Sequence, residues 1–304
     1  MKLGFVSSIL DESSFEEVLD TASTLGYECI EVACWPKEKA SRRYAGVTHI
    51  DINTLSDEKI NYIKTCCKNK NIMISSLAYY PNPLDEDLEK REKYISHLMN
   101  MITIAPKLNV STITTFVGRN QHLTIEENLE KFKQIWTPII KLAEKHKVKI
   151  AIENCPMLFT SDQWPGGQNL ATTPSIWRKM FDLIQSDYFG LNYDPSHFVW
   201  QQMDYISPLY EFKDKIFHVH FKDIKLFHDK LNDVGIMAYP LEYMSPKLPG
   251  LGDVNWGKYV SALTDINYKG YACIEIEDKS FEDSKEAILN SLKLSIHYIR
   301  QFVV

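Results

Sequence analysis

The stretch IFHVHFKD, Ile216 to Asp223, sets His218 and His220 two residues apart inside a run that otherwise has the composition of a buried strand. Side chains alternate across a strand, so both imidazoles face the same side, against Phe217 and Val219 on the other. Three more stretches repeat the asymmetry. In VKIAIENC, Ile150 and Ile152 oppose Ala151 and Glu153; in FGLNYDPSH, Leu191 and Tyr193 oppose Asn192 and Asp194; in GYACIEIED, Ile274 and Ile276 oppose Cys273, Glu275 and Glu277. A parallel strand covered on both faces is nearly continuously apolar, so polarity confined to one parity near four carboxyl ends needs a cause. Carboxylates buried together are very costly without a countercharge. A divalent cation supplies one. Glu153, Asp194, His220 and Glu275 offer three carboxylates and one imidazole, a mostly oxygen donor set that suits Mn2+ best, with Mg2+, Co2+ or Zn2+ as alternatives. His218, one layer deeper, reads equally as a core residue or as a partner that orients a ligand.

Those side chains need a scaffold that brings four strand ends together. Strand-length apolar runs alternate with amphipathic stretches along the whole chain: LGFVSS precedes SFEEVLDTASTLG, CIEVACW precedes SDEKINYIKTCCKNKN, and the beat continues through helical patterns beginning near Pro174, Ser207, Asn255 and Asp283. Thr124 with Glu127 has capping-box spacing, and Thr173 before Pro174 matches an N-cap with proline in the first helical position. Strand then helix, eight times, predicts an α/β chain folded as a (β/α)8 TIM barrel, one domain over residues 1–304, with an open doubly wound sheet as the alternative. Two connections, 156–172 and 224–254, are longer than a barrel requires. In a barrel the loops that follow strands form the catalytic face. The second is expected to close over a substrate and, in a homo-oligomer, to reach a neighbouring subunit's site.

Bulk composition narrows the classes. The chain has 304 residues, 44% hydrophobic and 24% charged, with a net charge of −6 and no basic stripe, so nucleic acid is not the expected partner. The start turns polar at Ser7 and Ser8 and no apolar run approaches a membrane span, which predicts a cytoplasmic location and no membrane partner. Six cysteines without Cys-x-x-Cys spacing read as reduced, packed thiols. His97, His122, His146 and His297 stand alone and receive no role.

Taken in order along the chain, EVACWP, IENCPM, LNYDPSH, HVHFKD, LPGLGDVNW and IEIED resemble the xylose-isomerase-like barrel superfamily of sugar and sugar-phosphate isomerases and epimerases, in its ketose 3-epimerase and 3-oxo-glycoside branch. The likeness runs over essentially the whole chain and specifies no substrate. It implies that Glu153, Asp194, His220 and Glu275 hold the metal, that Glu153 and Glu275 double as an acid/base pair, and that His197 and Lys222 contact substrate. One position departs: ketose 3-epimerases of this group carry an arginine six residues after the metal histidine, where this chain has Leu226.

The chemistry so implied is proton abstraction beside a sugar carbonyl through a metal-stabilised enediolate. Two glutamates on opposite sides of the substrate can take a proton from one face and return one to the other, which epimerises; return to the neighbouring carbon isomerises, and loss of a β-hydroxyl makes the enzyme a lyase or dehydratase on a keto-sugar or 3-oxo-glycoside. Trp35, Tyr79 and Trp164 are available as walls for a sugar ring, and Lys222, Lys225 and Lys247 to meet a phosphate. An apurinic-site endonuclease would want further histidines at early strand ends and a basic surface, and a silent sugar-binding protein has no use for two opposed carboxylates. The expected result is that chelation abolishes turnover, Mn2+ or Co2+ restores it, and His220→Ala loses both stoichiometric metal and activity, checked by metal analysis of the purified variant.

Overall fold

The pairing of the first strand with the last decides between the two architectures. In the computed structural model, which describes residues 1–37, 44–158 and 166–303, β1 (Lys2–Val6) lies parallel to a strand at Tyr271–Ile274 in the register Lys2↔Tyr271 to Phe5↔Ile274. The sheet therefore has no edge. Between them run β2 (Cys29–Ala33), β3 (Met73–Ala78), β4 (Thr112–Thr115), β5 (Lys149–Glu153), β6 (Phe189–Tyr193) and β7 (Ile216–Phe221), each pairing in parallel with the next. Among the described residues this is a closed eight-stranded parallel barrel ringed by helices, the (β/α)8 fold. The open sheet is excluded.

Local sequence explains the ring. Ser14 and Glu17 form a capping box at the head of α1 (Phe15–Leu25), and Gly26 ends that helix with φ of 82°. Two further helices, α2 (Asp57–Lys70) and α3 (Leu88–Ile104), follow the next strands, and α4 (Ile125–His146) starts with the Thr124/Glu127 box. Thr173 caps α5 (Pro174–Leu183) by accepting from the Ile176 N–H. After β6 the helical pattern is reduced to two short turns, α6 (Ser196–Val199) and α7 (Ser207–Glu211). Trp177 on α5 fills the space they leave, edge-on to Tyr193, Phe198 and Phe212 at centroid distances of 5.9, 5.7 and 5.3 Å.

The connection at 224–254, expected to be a loop, holds structure of its own. Strand β8 (Asp223–Leu226) leads through helix α8 (His228–Val234) to β9 (Met244–Lys247), which returns antiparallel in the register Asp223↔Lys247 to Leu226↔Met244. Pro246 is tolerated because it pairs with Ile224 at a non-hydrogen-bonded position of the ribbon, where its nitrogen faces away from the partner strand. The chain then passes through α9 (Trp256–Asp265) to the eighth barrel strand, β10 (Tyr271–Ile274), and the closing helix α10 (Lys285–Ile299).

One buried carboxylate ties the ribbon to the barrel. Asp223 Oδ1 accepts from the N–H groups of Ile224 (2.8 Å) and Val254 (3.1 Å), while Oδ2 accepts from the Gly250 N–H (2.8 Å) and Trp256 Nε1 (2.9 Å). The segment LPGLGDVNW is thus a collar around Asp223. Its glycines follow from that: a Cβ on Gly252 would lie 2.3 Å from Asp223 Oδ1, and Gly250 has φ of 93° with Tyr298 against it. Asp223→Asn would turn an amide N–H₂ toward donors that now find oxygen. We expect it to lower unfolding free energy by about 2–3 kcal/mol, read from a urea midpoint shift at unchanged m.

Candidate active site

The barrel brings the four expected side chains to one end. Glu153 is the last residue of β5, Asp194 follows the last of β6, His220 is the last but one of β7, and Glu275 follows the last of β10. One ligand atom from each lies within 4.8 Å of the others. His220 Nδ1 is 3.2 Å from Glu275 Oε2 and 3.7 Å from Glu153 Oε1. Asp194 Oδ2, His220 Nδ1 and Glu275 Oε2 are all buried without a hydrogen-bond partner. Three buried polar atoms without hydrogen bonds, drawn together from three strand ends, fit a cation, and the donor set is the hard one the sequence suggested.

Neighbouring groups fix how these atoms point. Asn154 and Asp194 exchange hydrogen bonds across the β5 and β6 ends: the Asp194 N–H donates to Asn154 Oδ1 at 2.8 Å and Asn154 Nδ2 to the Asp194 carbonyl at 2.9 Å. Asp194 Oδ1 accepts from the Ser196 N–H, which leaves Oδ2 facing the centre. Asn169 donates to the carbonyls of Glu153 (2.9 Å) and Cys155 (2.7 Å), clamping the chain that carries Glu153. Beneath His220 lies Glu31 on β2, fully buried, with Oε2 at 3.0 Å from His220 Nε2 and Oε1 accepting from the Tyr80 hydroxyl at 2.6 Å. Asn192 Nδ2 is also 3.0 Å from Nε2, but a carboxylate only accepts, so Nε2 carries the proton and donates to Glu31. The amide donates instead to Tyr80, at 3.2 Å. With the Nε2 proton so fixed, Nδ1 is the nitrogen that faces the quartet.

Charge at this end is lopsided. Glu31, Glu153, Asp194, Glu275 and Glu277 are answered by Lys222 and by the imidazoles of His197, His218 and His220. Burial works against ionised Glu153, yet the imidazoles of His197 and His220 close to its carboxylate, at 3.5 and 3.7 Å, hold it well below the usual carboxylate range. Burial pushes Glu275 up, and the charge of Glu153 adds to this while Lys222 opposes it. Lys222 is buried, which disfavours its charge, but Glu275 at 3.3 Å and Glu277 hold it firmly protonated.

The remaining sequence candidates divide. His197, on α6, sits with Nε2 3.3 Å from Asp194 Oδ2 and 3.5 Å from Glu153 Oε1. His218 makes no hydrogen bond to the quartet: it bonds Asn192 Oδ1 (2.9 Å) and Ser75 Oγ (3.2 Å), and a β-bulge between Leu191 and Asn192 sets Asn192 opposite it. It packs edge-on to the His220 ring, centroids 5.7 Å apart, and shares Asn192 and Glu31 with it as polar neighbours. Trp35 lines the cleft above the quartet, a space of about 610 Å3 walled also by Tyr80, Phe116, Trp200, Phe227 and Tyr239. Tyr79 is core, packed edge-on between Trp35 and His97. Trp164 lies outside the described residues. Lys247 is taken by Asp278 at 3.3 Å. All six cysteines are free, and Cys155 differs from the packed ones in lining the cleft.

Glu31, Tyr80 and Asn192 are the site residues the sequence reading did not assign. A signal existed for the first: in CIEVACW, Cys29, Glu31 and Ala33 share a parity against Ile30, Val32 and Cys34, the same asymmetry as in the later strands.

Comparison with known proteins agrees with the geometry. Residues 19–298 match the family described as xylose isomerase-like TIM barrel. The chain belongs to that family. It is 24% identical over 259 residues to the inosose dehydratase of Lactiplantibacillus plantarum, covering 81% of each chain. In shape this barrel is similar to the IolI protein with a bound zinc atom (TM-score 0.72, 19% identity, 99% of both chains). It is equally similar to D-psicose 3-epimerase of Clostridium cellulolyticum H10 in complex with D-tagatose (TM-score 0.73, 15% identity, 100% and 99% of the two chains). Proteins similar to this chain thus include both an epimerase and a dehydratase, and the quartet in this barrel can hold a divalent metal. No described helix is long and apolar enough to cross a membrane.

Because Glu31 fixes the His220 tautomer, Glu31→Gln, which removes the charge at constant size, should weaken divalent-metal binding about 10–100-fold with the fold intact. Calorimetric titration with Mn2+ alone checks this, and unchanged affinity would dissociate Glu31 from the metal site.

Proposed function

We propose that this protein is a divalent-metal-dependent enzyme that removes a proton from the carbon beside a carbonyl of a sugar or sugar derivative and returns one, epimerising or isomerising it. The observation that carries the reading is the convergence of Asp194 Oδ2, His220 Nδ1 and Glu275 Oε2, buried and without hydrogen bonds, at the floor of a cleft large enough for a monosaccharide. Glu153, Asp194, His220 and Glu275 would hold the metal, which when bound polarises a substrate carbonyl and lowers the cost of ionising the adjacent C–H.

The protein groups account for the rest. Glu153 and Glu275 stand on β5 and β10, three strands apart around the barrel, and so reach a substrate from two sides. Their surroundings push them in opposite senses, Glu153 toward the carboxylate and Glu275 toward the acid, which suits one to take a proton and the other to give one. His197 and Lys222, both buried at the cleft floor, donate to substrate oxygens and fix the sugar's orientation. Trp35 supplies an apolar face for the ring. Mn2+ is the metal we expect, on the strength of the oxygen-rich donor set; the zinc in the similar IolI structure makes Zn2+ the rival.

A second reading, dehydration, is favoured by the inosose dehydratase likeness. It needs the same first proton abstraction, followed by protonation of a departing β-hydroxyl, for which Glu275 beside Lys222 is placed.

Isotope exchange separates the readings. With aldoses, ketoses, their phosphates and 3-oxo-glycosides screened in D2O, Glu153→Gln and Glu275→Gln should each turn over at least about a hundredfold more slowly. In an epimerase each variant should still wash deuterium into one epimer, and the two variants into opposite ones. Exchange of the same epimer by both would show one base serving both faces and favour isomerase or lyase; full turnover in either removes that glutamate from the chemistry.

A further inference from the structure

Cys155 is the cysteine whose surroundings ask for a ligand. It follows the Glu153–Asn154 pair off the end of β5 and lines the cleft, and its Sγ accepts from the Met157 N–H at 3.3 Å. The Asn169 amide holds its carbonyl at 2.7 Å, so the thiol is carried on a fixed peptide. Opposite it stands His197, only 6% exposed: its Nε2 faces Asp194 Oδ2 at 3.3 Å and Glu153 Oε1 at 3.5 Å without hydrogen-bond geometry, and its Nδ1 has no hydrogen-bond partner. A buried imidazole normally spends at least one nitrogen on a partner. Ligand atoms of Glu153, Cys155 and His197 all lie within 4.8 Å of one another.

Sulfur, nitrogen and oxygen converging from three residues, with the cleft open on the fourth side, is a donor set for zinc rather than for manganese or magnesium. A sugar hydroxyl explains it poorly, because a thiol is a weak hydrogen-bonding partner. We propose that Glu153, Cys155 and His197 form a second metal site that takes a thiophilic divalent cation such as Zn2+ and shares the Glu153 carboxylate with the quartet. The proposal holds whichever reaction the cleft catalyses. Its consequence is that zinc at this position occupies two groups, Glu153 and His197, that the proposed proton transfer and substrate contact require, so the choice between hard and soft metal becomes a control on the enzyme.

The test uses the full-length protein with metal alone. Titrated with Co2+, the wild type should develop the near-ultraviolet sulfur-to-cobalt charge-transfer band that only a thiolate ligand gives, and equilibrium dialysis should find about two equivalents of Zn2+ per chain. Cys155→Ser should lose the band and retain about one equivalent, and His197→Gln should lose the band as well, with circular dichroism verifying both folds. Asp194→Asn distinguishes this site from the quartet: it should lose the other equivalent and keep the band. A wild type without the band, a band that survives Cys155→Ser, or zinc stoichiometry unchanged by that substitution would overturn the proposal.

Discussion

The constraint on which this barrel turns is an excess of buried negative charge at the carboxyl ends of its strands. Glu31, Glu153 and Asp194 are nearly or fully inaccessible, and Glu275 is drawn in beside them. Carboxylates taken out of water cost several kcal/mol each unless compensated. Compensation here is of three kinds: Lys222 lies between Glu275 and Glu277, the Ser196 backbone N–H donates to Asp194 Oδ1, and Glu31 accepts from both His220 and Tyr80. What these leave over is a set of lone pairs facing one point. The surplus is therefore gathered where Glu153, Asp194, His220 and Glu275 could share one cation, and the same arrangement sets Glu153 and Glu275 apart in proton affinity.

Maintaining that arrangement explains features remote from the chemistry. The exchange of hydrogen bonds between Asn154 and Asp194 keeps two strand ends in register where ladder pairing has stopped, and Asn169 returns from the following connection to do the same for Glu153. Asp223, the residue after the cleft lysine, is turned away from the site and spends its charge on four N–H groups of the collar. Adjacent residues at one strand end thus have different duties. One parity feeds the site, and the other fastens the ribbon that walls it.

Much of this was legible because parity survives burial. The polar sides of VKIAIENC, FGLNYDPSH, IFHVHFKD and GYACIEIED named Glu153, Asp194, His220 and Glu275 as a group, and the barrel brings them within 4.8 Å. Their roles in catalysis are a separate matter, argued from chemistry. Glu31 was harder to see because a single acid in an otherwise apolar strand reads as a solvated end, and only the closure of the sheet carries β2 across to His220. The ribbon escaped for a different reason: Met244–Lys247 contains a proline and little alternation, and it forms a strand only because Asp223–Leu226 is held beside it by the Asp223 collar. Tyr79 and Tyr80, adjacent in sequence, could not be told apart without knowing which parity faces the axis. One is core, and the other bonds Glu31.

The departure at position 226 can now be placed physically. Leu226 is buried at the base of the ribbon with its N–H donated to Asp253 Oδ2 at 2.7 Å, and it is Ile224 and Phe227 around it that reach the cleft. A side chain at 226 contributes packing under the ribbon. Positive charge toward the cleft comes instead from Lys222 at the floor, Lys230 on α8 and Lys279 beyond β10. Lys222 is committed to Glu275 and Glu277, whereas Lys230 is carried by the excursion, its ammonium 4.5 Å from the Phe227 ring centroid. The floor and the wall therefore answer to different parts of the sequence. The floor is dictated by charge that must be balanced within the barrel, while the wall is a ribbon hung from Asp223, whose residues can change without disturbing that balance.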